Sequence, residues 1–225
     1  GVPLLPDDSS ARKNKKKKRK RKKVKGPCAR GKSKKNSCRK NKQCCTNVCR
    51  NKRCRCNVCA SGCPFTSVQA AIDSANPGAT IRICAGIFGG NLTIEKDLTL
   101  IGAGDATKGT TLDGLENGTV VTVLSGATVE LAGLRITNGN AAAGSAGGIS
   151  NFGTLTLSGC TVTANETDGQ GGGIGNAGAL ILISSHVAGN EAEGAGGGIL
   201  NRGALTLNES SVTGNTAETD GGGIL

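Results

Sequence analysis

Aromatic side chains and methionine are nearly missing from this 225-residue sequence. Tryptophan, tyrosine and methionine are absent, and the only aromatic residues are Phe65, Phe88 and Phe152. The core must therefore consist of Ile, Leu, Val and Ala. Three phenylalanines are too few for the aromatic platforms that usually line the grooves of sugar-processing enzymes. No apolar run approaches the length of about 18 residues that a membrane-spanning helix needs, so none is predicted.

Acidic residues are almost missing from the first part of the chain. Residues 1–63 hold 23 Lys and Arg against Asp7 and Asp8, a net charge of +21. Residues 64–225 hold 5 Lys and Arg against 14 Asp and Glu, a net charge of −9. The total of +12 therefore averages two oppositely charged parts.

The basic charge is densest in residues 1–27, which we expect to be disordered because like charges repel and no apolar residues compensate. The unbroken run is Lys15, Lys16, Lys17, Lys18, Arg19, Lys20, Arg21, Lys22 and Lys23. It is interpreted as a spacer, as a tether to an anionic polymer or membrane surface, as a nucleic-acid arm, or as a nuclear-import signal, which the oxidising compartment implied by disulfides argues against. No aromatic residue interrupts the run, so a nucleic acid would be contacted through its phosphates only, and an anionic polymer or surface is the partner we expect.

The second part of the chain contains an internal repeat of 25 residues over 147–225. Two asparagine columns and four apolar columns keep this interval without slippage, and the isoleucines that follow a glycine pair are Ile149, Ile174, Ile199 and Ile224. Apolar and polar residues alternate around Leu155, Leu157 and Val162, which predicts short strands. One such unit cannot bury its apolar face alone, so we expect a coil whose strands pair in parallel with the next turn.

Stacking of equal positions predicts an amide ladder of Asn151, Asn176 and Asn201 at an inward bend, where it would satisfy backbone groups. Less regular coils are expected over 92–140, where Val129 and Leu131 precede Leu155 and Leu157 by 26 residues. Residues 64–225 correspond to some six coils and a rod of roughly 30 Å.

The repeat GGGI-x-N-x-G-x-L-T-L-x-x-S-x-V-x-x-N resembles right-handed parallel β-helix proteins of the pectate-lyase-like superfold. It is similar to repeats of secreted bacterial proteins and of chlamydial polymorphic outer-membrane proteins, although Val162, Val187 and Val212 stand where the latter have Phe. The resemblance covers residues 64–225 and implies an all-β parallel β-helix. In such proteins a short amphipathic helix caps the first coil. The stretch 66–75, with Thr66 or Ser67 as N-cap and Asn76-Pro77-Gly78 after it, is similar to that cap.

Nine of the 11 cysteines lie within residues 28–63, which we interpret as a small disulfide-rich module. Their spacing resembles an inhibitor-cystine-knot (knottin) framework, and the resemblance implies the pairs Cys28–Cys45, Cys38–Cys49 and Cys44–Cys54. Cys63 and Cys84 flank the cap helix and are expected to bridge, which leaves Cys56–Cys59 as a fifth pair and Cys160 as a reduced core residue. A zinc site of four thiolates is the alternative for some of these cysteines.

Catalytic constellations of related enzymes are not found. Pectate lyases use a Ca²⁺-binding acidic cluster with an arginine base, and polygalacturonases use close-set aspartates. Here Asp113 has no acidic partner one coil away, and His186 adjoins no acidic or nucleophilic column. One acidic column, Asp168, Glu193 and Glu218, is interpreted as a solvated edge, with a weak Ca²⁺ stripe as the alternative; otherwise no cofactor is expected.

The sequence thus predicts a secreted or cell-surface, non-catalytic β-helix protein that functions in adhesion or in contact with polysaccharides or cell-wall polymers. The chain begins with Gly1, and Leu225 interrupts a repeat, so we interpret it as an excised piece. The alternative function is a polysaccharide lyase or glycoside hydrolase whose catalytic coils lie beyond residue 225.

Overall fold

The computed structural model of the protein describes residues 56–104 and 109–225. These residues form a parallel β-solenoid preceded by one short helix. The predicted disordered leader 1–27, the three knottin pairs and most of the module 28–63 lie outside the described residues.

Four parallel sheets form the faces of the solenoid. The first sheet contains β1 (Ala79–Arg82), β4 (Leu98–Ile101), β7 (Thr128–Ala132), β11 (Thr154–Ser158), β15 (Ala179–Ile183) and β19 (Ala204–Asn208). The second contains β2 (Gly86–Gly89), β5 (Thr110–Asp113), β8 (Leu134–Thr137), β12 (Thr161–Thr163), β16 (His186–Ala188) and β20 (Ser211–Thr213). The third contains β3 (Leu92–Ile94), β6 (Val121–Val123), β10 (Ile149–Asn151), β14 (Ile174–Asn176) and β18 (Ile199–Asn201). The fourth contains β9 (Asn140–Ala141), β13 (Glu166–Thr167), β17 (Glu191–Ala192) and β21 (Thr216–Ala217).

The register of the sheets confirms the 25-residue repeat. Ile174 pairs with Ile149 on one side and with Ile199 on the other. The 26-residue interval is also confirmed, because Val129 pairs with Leu155. Six strands on each of two faces give about five turns, or about 24 Å at the usual strand spacing. This is slightly fewer than the six coils expected, because part of the first coil is helix and loop.

The interior is a continuous column of aliphatic side chains. Leu155, Leu157 and Val162 are fully buried, and their counterparts one turn later are equally enclosed. Alternation along the strands places the polar residues between them outward, as in the pattern of β11. Stacked turns therefore replace a globular centre, as the repeat predicts.

Asparagines line two of the bends. In one ladder Asn151 Nδ2 donates to Asn176 Oδ1 at 2.7 Å, and Asn176 Nδ2 donates to Asn201 Oδ1 at 2.7 Å. The second column forms another ladder, in which Asn165 Nδ2 donates to Asn190 Oδ1 and Asn190 Nδ2 donates to the Oδ1 of Asn215, both at 2.9 Å. The same amides also bond backbone groups at the bends, which is how polar side chains are accommodated inside the solenoid.

The cap helix α1 spans Val68–Ser74, within the predicted range 66–75. Ser67 is its N-cap, and the side-chain oxygen accepts from the backbone N–H of Ala70. Val68, Ala71 and Ile72 are buried against the first coil. Val58, which the predicted boundary assigns to the cysteine-rich module, is also buried in this core and bridges to Phe65 and Ile83.

Among the residues that the structure describes, no helix has the length and apolar character needed to cross a membrane.

Candidate functional site

A groove follows one corner of the solenoid, between the glycine-rich loops after the fourth sheet and the outer face of the third sheet. Its volume is about 390 Å³. We call it the Phe152 groove and define it by the residues on its floor and rim: Ala146, Ser150, Phe152, Gln170, Gly175, Leu200 and Arg202. The volume is in the range of small-molecule sites.

The groove exists because one column of the third sheet changes its side chain at every turn. Ser150, Gly175 and Leu200 occupy equal positions in β10, β14 and β18. Gly175 has no side chain, and a Cβ built there would lie 3.2 Å from the Cβ of Ala146. This distance is shorter than an ordinary van der Waals contact, so the middle turn is closely approached by the loop and carries bare backbone, while Leu200 lines the groove one turn later.

A second column forms the outer rim. Phe152, Ala177 and Arg202 each donate a backbone hydrogen bond to the preceding turn, to Val123 O, Asn151 O and Asn176 O respectively. Phe152 is 50 % exposed, and it is the only phenylalanine with so much of its ring at the surface of the described residues. Small Ala177 separates the aromatic ring from the cationic side chain, so the rim is apolar at one end and charged at the other.

One hydrogen bond joins the two sides of the groove. Arg202 Nη2 donates to Gln170 Oε1 at 2.6 Å, from the third-sheet rim to the loop side. Both side chains are exposed, so either is able to exchange this partner for a ligand.

The polar groups of the floor already have partners within the protein. Ser150 Oγ accepts from the backbone N–H of Ala146 at 3.2 Å, and Asn176 belongs to the amide ladder. Throughout residues 56–104 and 109–225 no buried side-chain nitrogen or oxygen lacks a hydrogen-bond partner. The groove therefore offers an apolar floor, with hydrogen-bonding groups available at Gln170 and Arg202.

A second concave region lies on the first sheet and has a volume of about 450 Å³. Thr99, Thr128 and Glu130 line it, and it is more open than the Phe152 groove. Its lining contains no aromatic side chain. The Phe152 groove is consequently the better candidate for holding a ligand with an apolar face.

The acidic column predicted from the sequence lies on the fourth-sheet side. Glu193 donates its backbone N–H to Thr167 O and Glu218 donates to Ala192 O, so the side chains follow one another turn by turn. Asp168, Glu193 and Glu218 are all exposed. We looked in the described part of the chain for three or more His, Cys, Asp or Glu residues whose ligand atoms lie within 4.8 Å of one another. One such group is found there, and it consists of cysteines. The carboxylates as placed do not form a Ca²⁺ cage.

His186 and Asp113 lie on the second sheet, away from the groove. His186 Nδ1 is 2.8 Å from Ser211 Oγ one turn later, and both side chains point outward from the solenoid. Asp113 accepts from Asn138 Nδ2 through both carboxylate oxygens, at 3.1 and 3.2 Å. The structure does not bring these two residues together.

The cysteine pairing around the cap differs from the prediction. Cys59 is bonded to Cys63, with Cα atoms 5.5 Å apart, so the expected pairs Cys56–Cys59 and Cys63–Cys84 are corrected. The reason is local: the loop 59–63 turns back on itself before the helix and brings its own ends together. Cys84 remains close, with its sulfur 3.9 Å from the sulfur of Cys63. Cys160 is buried, and its Sγ lies 3.2 Å from Leu131 O.

Sequence reasoning did not identify the Phe152 groove, although a signal was present. The repeat keeps most of its columns, whereas the columns of Ser150 and Phe152 change residue type at each turn. Variation at fixed positions of a strict repeat marks the turns that differ in surface shape. The basic run Lys15–Lys23 cannot be related to the groove, because it lies outside the described residues.

Comparison of the chain with protein-family models, with curated proteins and with solved structures finds no significant match.

Proposed function

We propose that this protein is a non-catalytic binding protein whose solenoid holds a glycan chain in the Phe152 groove. The observation that carries the proposal is the exposed Phe152 ring at the rim of an elongated groove whose floor is apolar. Sugar rings present a face of C–H groups and a rim of hydroxyl groups. An aromatic face next to hydrogen-bonding side chains complements both.

The groove's length supports an elongated ligand. Phe152 and Arg202 are two turns apart along the axis of the solenoid, which corresponds to about 10 Å. Between them the rim carries only the small Ala177 and the floor carries Gly175. The Arg202–Gln170 hydrogen bond that spans the groove opens when a ligand lies along the axis. A short run of linked sugars has this shape.

The polar side chains at one end of the groove would orient the bound glycan. Arg202 offers guanidinium donors, and Gln170 offers both a donor and an acceptor. Their mutual hydrogen bond would be replaced by bonds to sugar hydroxyls, so binding need not leave either group unpaired.

We further propose that the protein lies outside the cell and that its basic run anchors it there. A secreted or cell-surface protein of this kind would use the run Lys15–Lys23 to attach to an anionic polymer or surface, while the rod presents the groove. The assignments to the pectate-lyase-like superfold and to a knottin module belong to the same proposal. They rest on the repeat and on the cysteine spacing.

The test is a binding screen of the full chain against neutral and acidic oligosaccharides, followed by calorimetric titration of the tightest ligand. Phe152→Ala should weaken binding at least about tenfold, equivalent to about 1.4 kcal/mol. Gly175→Leu should abolish it, because a leucine at this position fills the groove as Leu200 does one turn later.

The matched control is Ile183→Ala, which removes a 38 % exposed apolar side chain from the first sheet, outside the groove. Its affinity should equal that of the unaltered chain, and circular dichroism should show the same β-solenoid in all variants. Full affinity in both groove variants, or the absence of any glycan ligand, would refute the proposal.

A further inference from the structure

Three cysteine sulfurs meet at the capped end of the solenoid, on elements that do not line the Phe152 groove. The Sγ atoms of Cys59, Cys63 and Cys84 all lie within 4.8 Å of one another. Cys59 and Cys63 form a disulfide, and Cys84 comes from the segment after β1. This is the one grouping of metal-ligating side chains in the described residues, and the glycan proposal does not use it.

Backbone hydrogen bonds fix the segments that carry these sulfurs. Cys84 donates its N–H to Val58 O at 2.9 Å, and Cys59 donates to Phe65 O at 3.1 Å. Asn57 donates to Arg82 O at 2.8 Å on the same side. Because these bonds do not involve the sulfurs, they should persist when the disulfide is opened, and the three side chains should stay close together.

The distances suit a soft metal ion. A Zn–S bond of about 2.3 Å in tetrahedral geometry places two sulfurs about 3.8 Å apart. The sulfurs of Cys63 and Cys84 are 3.9 Å apart. Cys59 and Cys84 are buried, whereas Cys63 is half-buried, so one side of the cluster is open to solvent.

We propose that the reduced protein binds one thiophilic divalent cation, such as Zn²⁺, through Cys59, Cys63 and Cys84. Water takes the fourth position, on the open side at Cys63. Three sulfur ligands select a soft or borderline cation over Ca²⁺ or Mg²⁺. The site would tie the loop before the cap helix to the first coil, which the disulfide within the loop does not do.

Metal binding and the disulfide exclude each other. Opening the Cys59–Cys63 bond takes two electrons and two protons, supplied by a dithiol or phosphine reductant, and yields two thiols. The cation then displaces the protons from these thiols and from that of Cys84, as thiolates are the ligands. The oxidised protein therefore lacks the site, and the reduced protein gains it.

The test uses Cd²⁺, whose thiolate complexes absorb in the ultraviolet, and a phosphine reductant that does not hold the metal as a dithiol would. The chain is titrated with all other module cysteines (28, 38, 44, 45, 49, 54 and 56) replaced by serine, so that these do not compete. We expect one Cd²⁺ per chain after reduction, and no thiolate band before it. Cys84→Ser should weaken binding by roughly tenfold or more.

Cys160→Ser is the matched control, because Cys160 is another buried cysteine of the solenoid and serine occupies its column at Ser185 and Ser210. It should bind Cd²⁺ as the parent does. In the otherwise unaltered reduced chain, native mass spectrometry should find one Cd²⁺ fewer with Cys84→Ser than with Cys160→Ser. Equal cadmium binding by these two variants in both experiments, or no thiolate band in the reduced parent, would overturn the proposal.

Discussion

Glycine is required at one position in each turn, where the backbone of the next turn lies too close for a side chain. Gly148, Gly173 and Gly198 precede the isoleucines of the third sheet. A Cβ on Gly173 would lie 2.6 Å from the carbonyl oxygen of Gly198, and the other two positions have equivalent contacts. Carbonyl oxygens cannot move away without breaking the ladder between turns, so any side chain at these positions is excluded.

The same column contains its own control. Gly223 occupies the equivalent position in the last turn, and a Cβ there would meet no atom within 4 Å. We predict that Gly173→Ala lowers the free energy of unfolding by more than about 2 kcal/mol, because the backbone must shift to accept the methyl group. Gly223→Ala should change it by less than about 0.5 kcal/mol.

Urea denaturation followed by far-ultraviolet circular dichroism measures both values. A Gly173→Ala variant as stable as the Gly223→Ala variant would show that the turns are less closely stacked than described.

The stability of a strand in the solenoid depends on having a paired strand on both sides. In β15, Leu182 is fully buried between the strands of adjacent turns. Leu207 occupies the same column in β19, at the edge of the first sheet, and is 41 % exposed. One residue type at one position of the repeat therefore has two environments, which differ only in the number of neighbouring turns.

This pair predicts a gradient of stability along the solenoid. Leu182→Ala should cost about 2–5 kcal/mol, as is usual for a cavity in a packed core. Leu207→Ala should cost less than about 1 kcal/mol, because much of that side chain is already in contact with water.

Chemical denaturation of the two variants gives the difference directly. Hydrogen exchange should also show faster opening of β19 than of β15 in the unaltered chain. Equal destabilisation by the two substitutions would contradict the gradient.

At the scale of the whole molecule, charge is segregated along the chain. Residues 1–63 carry +21 and residues 64–225 carry −9. The two parts should therefore respond differently to an anionic partner: residues 1–63 attract it, and the solenoid repels it. Contact with a polyanion is then a property of residues 1–63, and glycan binding in the groove is a property of the solenoid.

Deletion of residues 1–27, which hold 12 Lys and Arg against Asp7 and Asp8, removes a net charge of +10 and should weaken binding to an anionic polymer, such as an acidic wall polysaccharide, by about tenfold or more. The binding of the full chain should weaken by about tenfold or more as salt is raised from low to high ionic strength, because screening shortens the reach of the charges. Calorimetry or polymer-coated surfaces over a salt series provide the measurement.

A leader of equal length with serine in place of the basic residues from Lys15 to Lys23 is the matched control, and it should behave like the deletion. If the affinity for the polymer changed neither with the salt concentration nor with the deletion, the leader would be excluded as the anchor.

The parallel solenoid, its register and its cap helix were determined by the sequence alone. Identical apolar side chains at an interval of 25 leave one way to bury all of them, which is to stack each turn on the last. Ser67 and the stretch Asn76-Pro77-Gly78 likewise delimit the helix by local chemistry, which does not depend on the rest of the fold.

Tertiary structure alone decided the groove and the cysteine cluster. The groove depends on the side chains that differ from turn to turn at Ser150, Gly175 and Leu200, and on how closely Ala146 of the neighbouring loop approaches Gly175, a distance that the repeat does not give. The disulfide depends on which sulfur lies nearest to Cys63: Cys59 and Cys84 both come close, and spacing in sequence does not choose between them. Periodic stacking can be read from a repeat, whereas contacts between its irregular parts require the coordinates.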